Sequence, residues 1–230
     1  MKDKAIKYLQ KNPLHHIDMM EAIRRNSADL LYADVDGVLI REQNSNAYMI
    51  TVNDFDSGCK LINTIDEGNL FVAHQENIVN FISNKFNLKG KMECFQVVYE
   101  QEQRLEVCDE ISIRALELEH IDIILEHYKK LSYSEVKELL EQGAMFGGYK
   151  DGILIGFIGS HLEGSIGLLE VFPSFRKRGY GTILESHMVN HMLQKGQVPF
   201  AQIEVNNNAS LELQKKLGFR VSMDRVFWLF

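Results

Sequence analysis

The residues best placed to do chemistry in this chain run from Leu168 to Thr182, LLEVFPSFRKRGYGT. An apolar run gives way to three consecutive cations, Arg176, Lys177 and Arg178, and then to Gly179 and Gly181. If the run is a strand and the glycines open a helix, the backbone N–H groups from Arg178 to Thr182 point out of a helix N-terminus. There the positive end of the helix dipole favours a pyrophosphate. Gly179 and Gly181 let the backbone approach the phosphates with no Cβ in the way. A lone Gly-x-Gly or a basic triplet is common in solvated turns, so the weight rests on the order strand, loop, helix.

A second constellation is Asp34-Val35-Asp36-Gly37 after the apolar run LLYA. Paired carboxylates could hold magnesium and supply a nucleophile and a proton donor. The stretch resembles the first motif of haloacid-dehalogenase-type phosphatases over six residues, but the Lys and the later acidic pair which that family requires have no match. The simpler reading is an Asp-Gly turn between two strands. His15-His16 and the i, i+4 pair His187/His191 lack the Glu of H-E-x-x-H and a third ligand, so no metal is expected. Cys59, Cys94 and Cys108 share no ligand spacing and read as thiols in a reducing compartment.

The elements that must position these residues follow from periodicity. The chain has 230 residues, 45% hydrophobic and 25% charged, which is the composition of a globular protein of one large or two small domains. Helical spacing covers Lys2 to Gln10 and Leu14 to Arg25, and a strand meander follows from Leu30 to Val52. Helix Asp56–Glu67, strand LFVAH, helix Glu76–Phe86 and strand CFQVVYE close a first unit. The order then restarts, with a strand at Ile111–Ala115, helices at Glu117–Lys130 and Glu135–Gln142, and a hairpin turning at Asp151-Gly152. A strand at Ile166–Phe172, the glycine loop, a helix from about Gly179 to Lys195, strand FAQIEV, a helix from Ala209 to Leu217 and strand VFWLF complete it. Domains are expected at 1–108 and 109–230.

A net charge of -7 argues against nucleic-acid binding, since that needs a basic face. The longest apolar stretch, Ile153 to Leu169, is broken by His161 and Glu163, unlike a membrane span. The charged amino terminus lacks a signal-peptide core, so a cytoplasmic protein is expected. Oligomeric state is not legible.

With the motifs in view, the sequence resembles the GNAT superfamily of N-acetyltransferases. Their acyl-CoA loop, Q/R-x-x-G-x-G/A, is met by Arg176, Gly179 and Gly181, and VPFAQIEVNNNASLELQKKLGF is similar to the strand, Asn-bearing turn and helix that follow it. The pairing with N-x-x-S-x-x-L-x-x-K-L-G-F is most similar to the glycine-N-acyltransferase-like branch. The resemblance covers Ile111 to Phe230, and the first half is at most a degenerate echo of it. It implies an α/β (α+β) GNAT fold, a mixed and mostly antiparallel sheet flanked by helices. It also implies transfer of an acetyl group from acetyl-CoA to an amine, with no metal.

The resemblance also implies residue roles. Pyrophosphate would sit on Arg176, Lys177, Arg178, Gly179, Tyr180, Gly181 and Thr182. Pantetheine would run as a pseudo-strand beside Leu169 to Val171, and Asn207 would bond that arm or cap a helix. Gly218 and Phe219 would end that helix. Two family positions depart: Gln214 stands where many members carry a Tyr acid, and Ser165 where the glycine-N-acyltransferase branch has a basic Glu. Glu170 and Glu163 are the replacement candidates for the base, with His161 behind them. A non-catalytic acyl-CoA sensor is the alternative, and a magnesium phosphatase at Asp34/Asp36 the weaker one.

Overall fold

The computed structural model describes residues 1–230, which pack as two units: Met1–Val98 with Phe200–Phe230, and Tyr99–Pro199. The closing segment thus packs with the amino-terminal residues. The division at 108/109 remains a proposal about how the sequence is organised.

The first unit opens with α1 (Lys2–Leu9) and α2 (Ile17–Arg24), the meander β1 (Ala28–Asp34), β2 (Gly37–Glu42) and β3 (Tyr48–Val52), and α3 (Phe55–Ile62). Strand β4 (Phe71–Ala73), α4 (Val79–Phe86) and β5 (Lys91–Val98) follow. Asp54 caps α3 by accepting the Ser57 N–H at 2.9 Å. That helix stops at Ile62, short of the expected Glu67, because the Thr64 hydroxyl donates to the Leu61 carbonyl and tightens the last turn. Strands β2, β3 and β4 are buried on both faces, so that successive residues pack into opposite layers. Val38, Ile40, Met49 and Val72 pack towards α1 and α2 residues, while Leu39, Ile50, Phe71 and Ala73 pack with α3 and α4 residues.

The second unit holds β6 (Ser112–Ala115), α5 (Ile121–His127), α6 (Tyr133–Glu141), β7 (Met145–Lys150), β8 (Ile153–Ser160), β9 (Ile166–Val171) and α7 (Tyr180–Gln194). Its strands form an antiparallel ladder in chain order. Asp151 at φ 51 and Gly152 at φ 83 make the tight β7–β8 turn that the dipeptide predicts. Ser132 and Glu135 form a capping box at α6. The helix expected at Glu117–Lys130 is only the seven-residue α5 after a 3-10 turn, and its Ile121 and Ile124 join a core with Leu139, Phe157 and Leu168. The charged connection after Tyr99 is held to α7, whose Asn190 amide bonds both the N–H and the carbonyl of Leu105 at 2.8 and 2.9 Å.

Strand β10 (Phe200–Glu204), α8 (Asn208–Lys216) and β11 (Arg220–Leu229) return the chain to the first unit, where the strand order is β1-β2-β3-β4-β11-β5-β10. Only β3–β4 is parallel among these pairs. Mixed, mostly antiparallel sheets flanked by helices are what the sequence predicts.

Candidate functional site

The site is built on β9. Its register against β8 pairs Phe157 with Glu170 and Gly159 with Gly167, so three steps on β9 face two on β8. The extra residue is a β-bulge, and Leu168 sits in the left-handed region at φ 55. A Leu in that conformation carries strain of order 1–3 kcal/mol, tolerated only where surrounding packing fixes it. Leu168, 2% exposed, is fixed in the unit's core. The bulge interrupts the β8–β9 ladder between Glu170 and Gly167, and an interrupted ladder is where an amide-bearing ligand arm can pair.

Beyond Val171 the chain turns through a 3-10 segment, Pro173–Phe175, into the cationic loop. Lys177 at φ 60 and Gly179 at φ 85 both take left-handed backbone, and α7 begins at Tyr180. The Thr182 and Ile183 N–H groups close back on the Gly179 carbonyl at 3.0 and 3.2 Å. The preceding amides open outward at an end with no side-chain cap. Gly179 is required by its positive φ. Gly181 is not: its φ is ordinary, and a Cβ there would meet only Val171 and Leu169 side chains at 3.8 and 3.9 Å. A glycine that the fold does not need is one whose smallness serves something outside the fold.

The three cations divide unexpectedly. Arg176 bonds the Val171 carbonyl through Nε at 2.8 Å and pairs with Glu170 at 2.7 Å. Arg178 bonds the Ser174 carbonyl at 3.2 Å and lies over the Phe175 ring. Arg176 therefore ties the loop to the end of β9, and its charge is matched by Glu170. Lys177 and Arg178 carry the loop's positive excess. Glu170, the first candidate base, thus has one carboxylate oxygen engaged.

Glu163, the other candidate, lies in the turn between β8 and β9 at 6% exposure, and accepts a short hydrogen bond from the Ser165 hydroxyl. The serine that replaces the expected glutamate is therefore in contact with a carboxylate two residues away. His161 lies beside them, its imidazole so close over Gly167 that any side chain at 167 would collide with it.

Asn207, Gln214 and Gly218 belong to the first unit. Asn207 caps α8 by accepting the Ser210 N–H at 3.2 Å. Gly218, at φ 90, ends α8 in a Schellman turn, with Phe219 N–H to Gln214 O at 3.0 Å and Gly218 N–H to Lys215 O at 3.0 Å. Gln214 is buried. His187 and His191 meet the Phe146 ring edge-on, and burial lowers both of their pKa values.

Asp34 pairs with Gly37 across β1–β2, and Val35 and Asp36 form the two-residue turn between them. Asp34 pairs with Lys4 at 2.7 Å, and Asp36 accepts the Tyr32 hydroxyl at 2.7 Å. Gly37 is needed here for close approach, since a Cβ would press on Thr51 O at 2.8 Å, and its φ is not positive. Replacing both aspartates with Asn is expected to leave CoA affinity and any acyl transfer unchanged, with phosphate-ester hydrolysis absent before and after. Magnesium-dependent hydrolysis that disappears in the double variant would reverse that assignment.

The bulge at Leu168, the Arg176–Glu170 clasp and the Glu163–Ser165 pair were not legible in the sequence. Only the clasp left a signal there, opposite charges six residues apart around a turn.

Comparison with known proteins matches residues 147–229 to a family model described as FR47-like protein. No curated protein matches. Among solved structures, a Drosophila protein aligns over 100% of this chain and 95% of its own at TM-score 0.73 and 14% identity. A putative GNAT-family acetyltransferase from Novosphingobium aromaticivorans aligns over 93% and 94% at TM-score 0.58 and 12% identity. A GCN5-related N-acetyltransferase from Sphaerobacter thermophilus aligns over 100% and 92% at TM-score 0.56 and 12% identity. At these identities the likeness is one of fold, and the fold is that of GNAT acetyltransferases.

Proposed function

We propose that this GNAT-fold protein is an acyl-CoA-dependent N-acyltransferase that moves an acetyl group from acetyl-CoA to a primary amine of a small molecule or peptide in the cytoplasm. The glycine-N-acyltransferase-like branch is the nearest pattern for its motifs. The observation that carries the reading is the run of β9 bulge, cationic loop and uncapped α7 N-terminus inside the segment that matches the FR47-like model. Amides from Arg178 to Gly181, with Lys177 and Arg178, would hold the pyrophosphate, the Thr182 N–H being taken by the Gly179 carbonyl. Backbone groups of Leu169 to Val171, beside the bulge, would pair with the pantetheine amides. Asn207 enters as a helix cap and Arg176 as the clasp that shapes the loop.

Direct attack of the amine on the thioester needs orientation first and proton removal second. Extended pantetheine is about as long as a strand of four or five residues at roughly 3.3 Å each. With the pyrophosphate at α7 and the arm running back along β9, the thioester falls near Gly167 and Ser165. That is the Glu163 end of the strand, whereas Glu170 lies at the phosphate end beside Arg176. Glu163, through the Ser165 hydroxyl or a water, is the stronger candidate for the proton.

Titration calorimetry with CoA tests the loop. Gly181→Asp places a carboxylate where a phosphate must sit and is expected to weaken binding at least about tenfold, roughly 1.4 kcal/mol. Gly181→Ala, for which there is room, is the folding control. Unchanged affinity in a folded Gly181→Asp protein would remove the loop assignment. A second reading, an acyl-CoA sensor without turnover, is favoured by Gln214 and Ser165 at positions where relatives carry an acid and a base. Tight acyl-CoA binding with no product across an amine panel would establish it.

A further inference from the structure

Where the β8–β9 ladder resumes after the bulge, two glycines face each other, Gly159 on β8 and Gly167 on β9. Cross-strand partners share a face of the sheet, so this strip of it has no side chains of its own and is covered by neighbours. The two halves of the cover differ. A Cβ on Gly159 would press on the Ala144 carbonyl at 2.9 Å, the Met145 side chain at 3.0 Å and Leu168 at 3.2 Å, and both of those side chains are buried in the unit's core. That half is closed. At Gly167 the three nearest atoms all belong to the His161 imidazole, and His161 and Gly167 are each partly exposed. The ring is therefore the outer layer there, the part of the cover that a ligand can touch. Its backbone is held, since the His161 N–H donates to the Ser165 carbonyl and the His161 carbonyl accepts the Gly164 N–H, both at 2.9 Å. The ring can leave Gly167 only by changing rotamer.

The acyl-CoA reading brings the thioester to this same spot, at the Gly167 end of β9. An acetyl group ends one methyl beyond the thioester carbonyl. A longer chain has to continue over the glycine strip, and the space above Gly167 is taken by the imidazole. We infer that His161 is a specificity-determining residue, whose ring holds the donor to acetyl and turns away longer straight acyl chains. The inference rests on the acyl-CoA reading of β9 and α7. It is steric, requiring the volume of the ring and no proton transfer by it.

Calorimetry on the full chain with CoA, acetyl-CoA and butyryl-CoA tests it. Unaltered protein is expected to bind butyryl-CoA at least about tenfold more weakly than acetyl-CoA, the scale of discrimination that a filled pocket achieves by methylenes. His161→Ala removes the ring and is expected to raise butyryl-CoA to the affinity of acetyl-CoA or above, with CoA itself unchanged. Gly167→Val added to His161→Ala refills the space from β9, where the backbone has no positive φ and valine suits a strand. That double variant is expected to regain the preference for acetyl without an imidazole. Equal affinity of unaltered protein for the two thioesters, or an unmoved preference in a His161→Ala protein that still binds CoA, would overturn the inference and leave the acyl-CoA reading standing. A preference that stays lost in a folded double variant would overturn it as well, by showing that volume is not what His161 supplies. Unaltered protein that binds none of the three ligands would overturn the reading and the inference together. The comparison between thioesters uses unaltered protein, so it does not depend on whether a variant folds.

Discussion

Acidification is expected to destabilise this protein before its carboxylates titrate, because the first unit buries neutral histidines. The pKa of His16, 5% exposed, is lowered from 6.5 to about 3, chiefly by desolvation and then by the His74 charge. A histidine whose folded pKa is lowered takes up its proton in the unfolded chain first. The unfolded state therefore binds more protons below pH 6.5, and stability falls as pH falls through the window from 6.5 to about 3. At 1.36 kcal/mol per unit, His16 alone removes roughly 3 kcal/mol by pH 4 and roughly 4 by pH 3. His15 is lowered for the same reason and adds to the loss in the same direction. Asp18 is lowered too, since its desolvation is outweighed by the His74 interactions and the Met19 N–H, so its contribution is intact above the ordinary carboxylate pKa and is lost only as pH falls below it. Against a total stability of order 5–15 kcal/mol this is a large effect. Urea unfolding followed by circular dichroism at pH 7, 5.5 and 4 reads it directly, and His16→Gln, which keeps an amide donor and acceptor, should flatten the pH slope. A midpoint constant between pH 7 and 4 would show that these histidines already carry protons in the fold.

The same cluster shows where sequence reading stops. His15 and His16 stood out only as a possible metal pair, since nothing local says that His74 and Asp18 will be packed beside them. That juxtaposition comes from α2 lying over a sheet whose strands β3, β4 and β11 are far apart in sequence. By contrast, the glycine loop was legible because its elements are consecutive: the end of β9, the turn and α7 occupy Ile166 to Gln194 without interruption. Hairpins at Asp151-Gly152 and the caps at Asn207 and Gly218 were legible for the same reason, each being decided within a few residues. Arg176 was read as a phosphate ligand on pattern alone. Its fork instead meets the Val171 carbonyl and Glu170, a choice set by three-dimensional proximity. The destination of the last 31 residues was invisible: VFWLF looks like a closing strand of the second half, yet β11 lies between β4 and β5 of the first unit.

Turnover is expected to depend most on Glu163. If it takes the amine's proton, Glu163→Gln lowers kcat by the 10²- to 10⁴-fold that general-base assistance typically contributes, with CoA affinity nearly unchanged. Glu170→Gln should behave differently. It releases Arg176 from its clasp at the phosphate end of β9, so its effect should appear first as weaker CoA binding, with a smaller loss in kcat. Ser165→Ala separates a relay from a direct base: it leaves the Glu163 carboxylate in place but removes the hydroxyl that bridges it toward β9. A loss in Ser165→Ala comparable to that in Glu163→Gln marks the pair as one unit, because residues acting together lose nearly everything when either is removed. The pattern reversed, with kcat collapsing in Glu170→Gln and surviving in Glu163→Gln, would move the base to the phosphate end and overturn the placement of the thioester near Gly167. Should all three variants keep near-full turnover from pH 6 to 9, the carboxylates have no part in proton transfer. The remaining group on that turn is His161, whose ring lies over Gly167, and His161→Asn would then decide between an imidazole base and an amine that arrives already deprotonated.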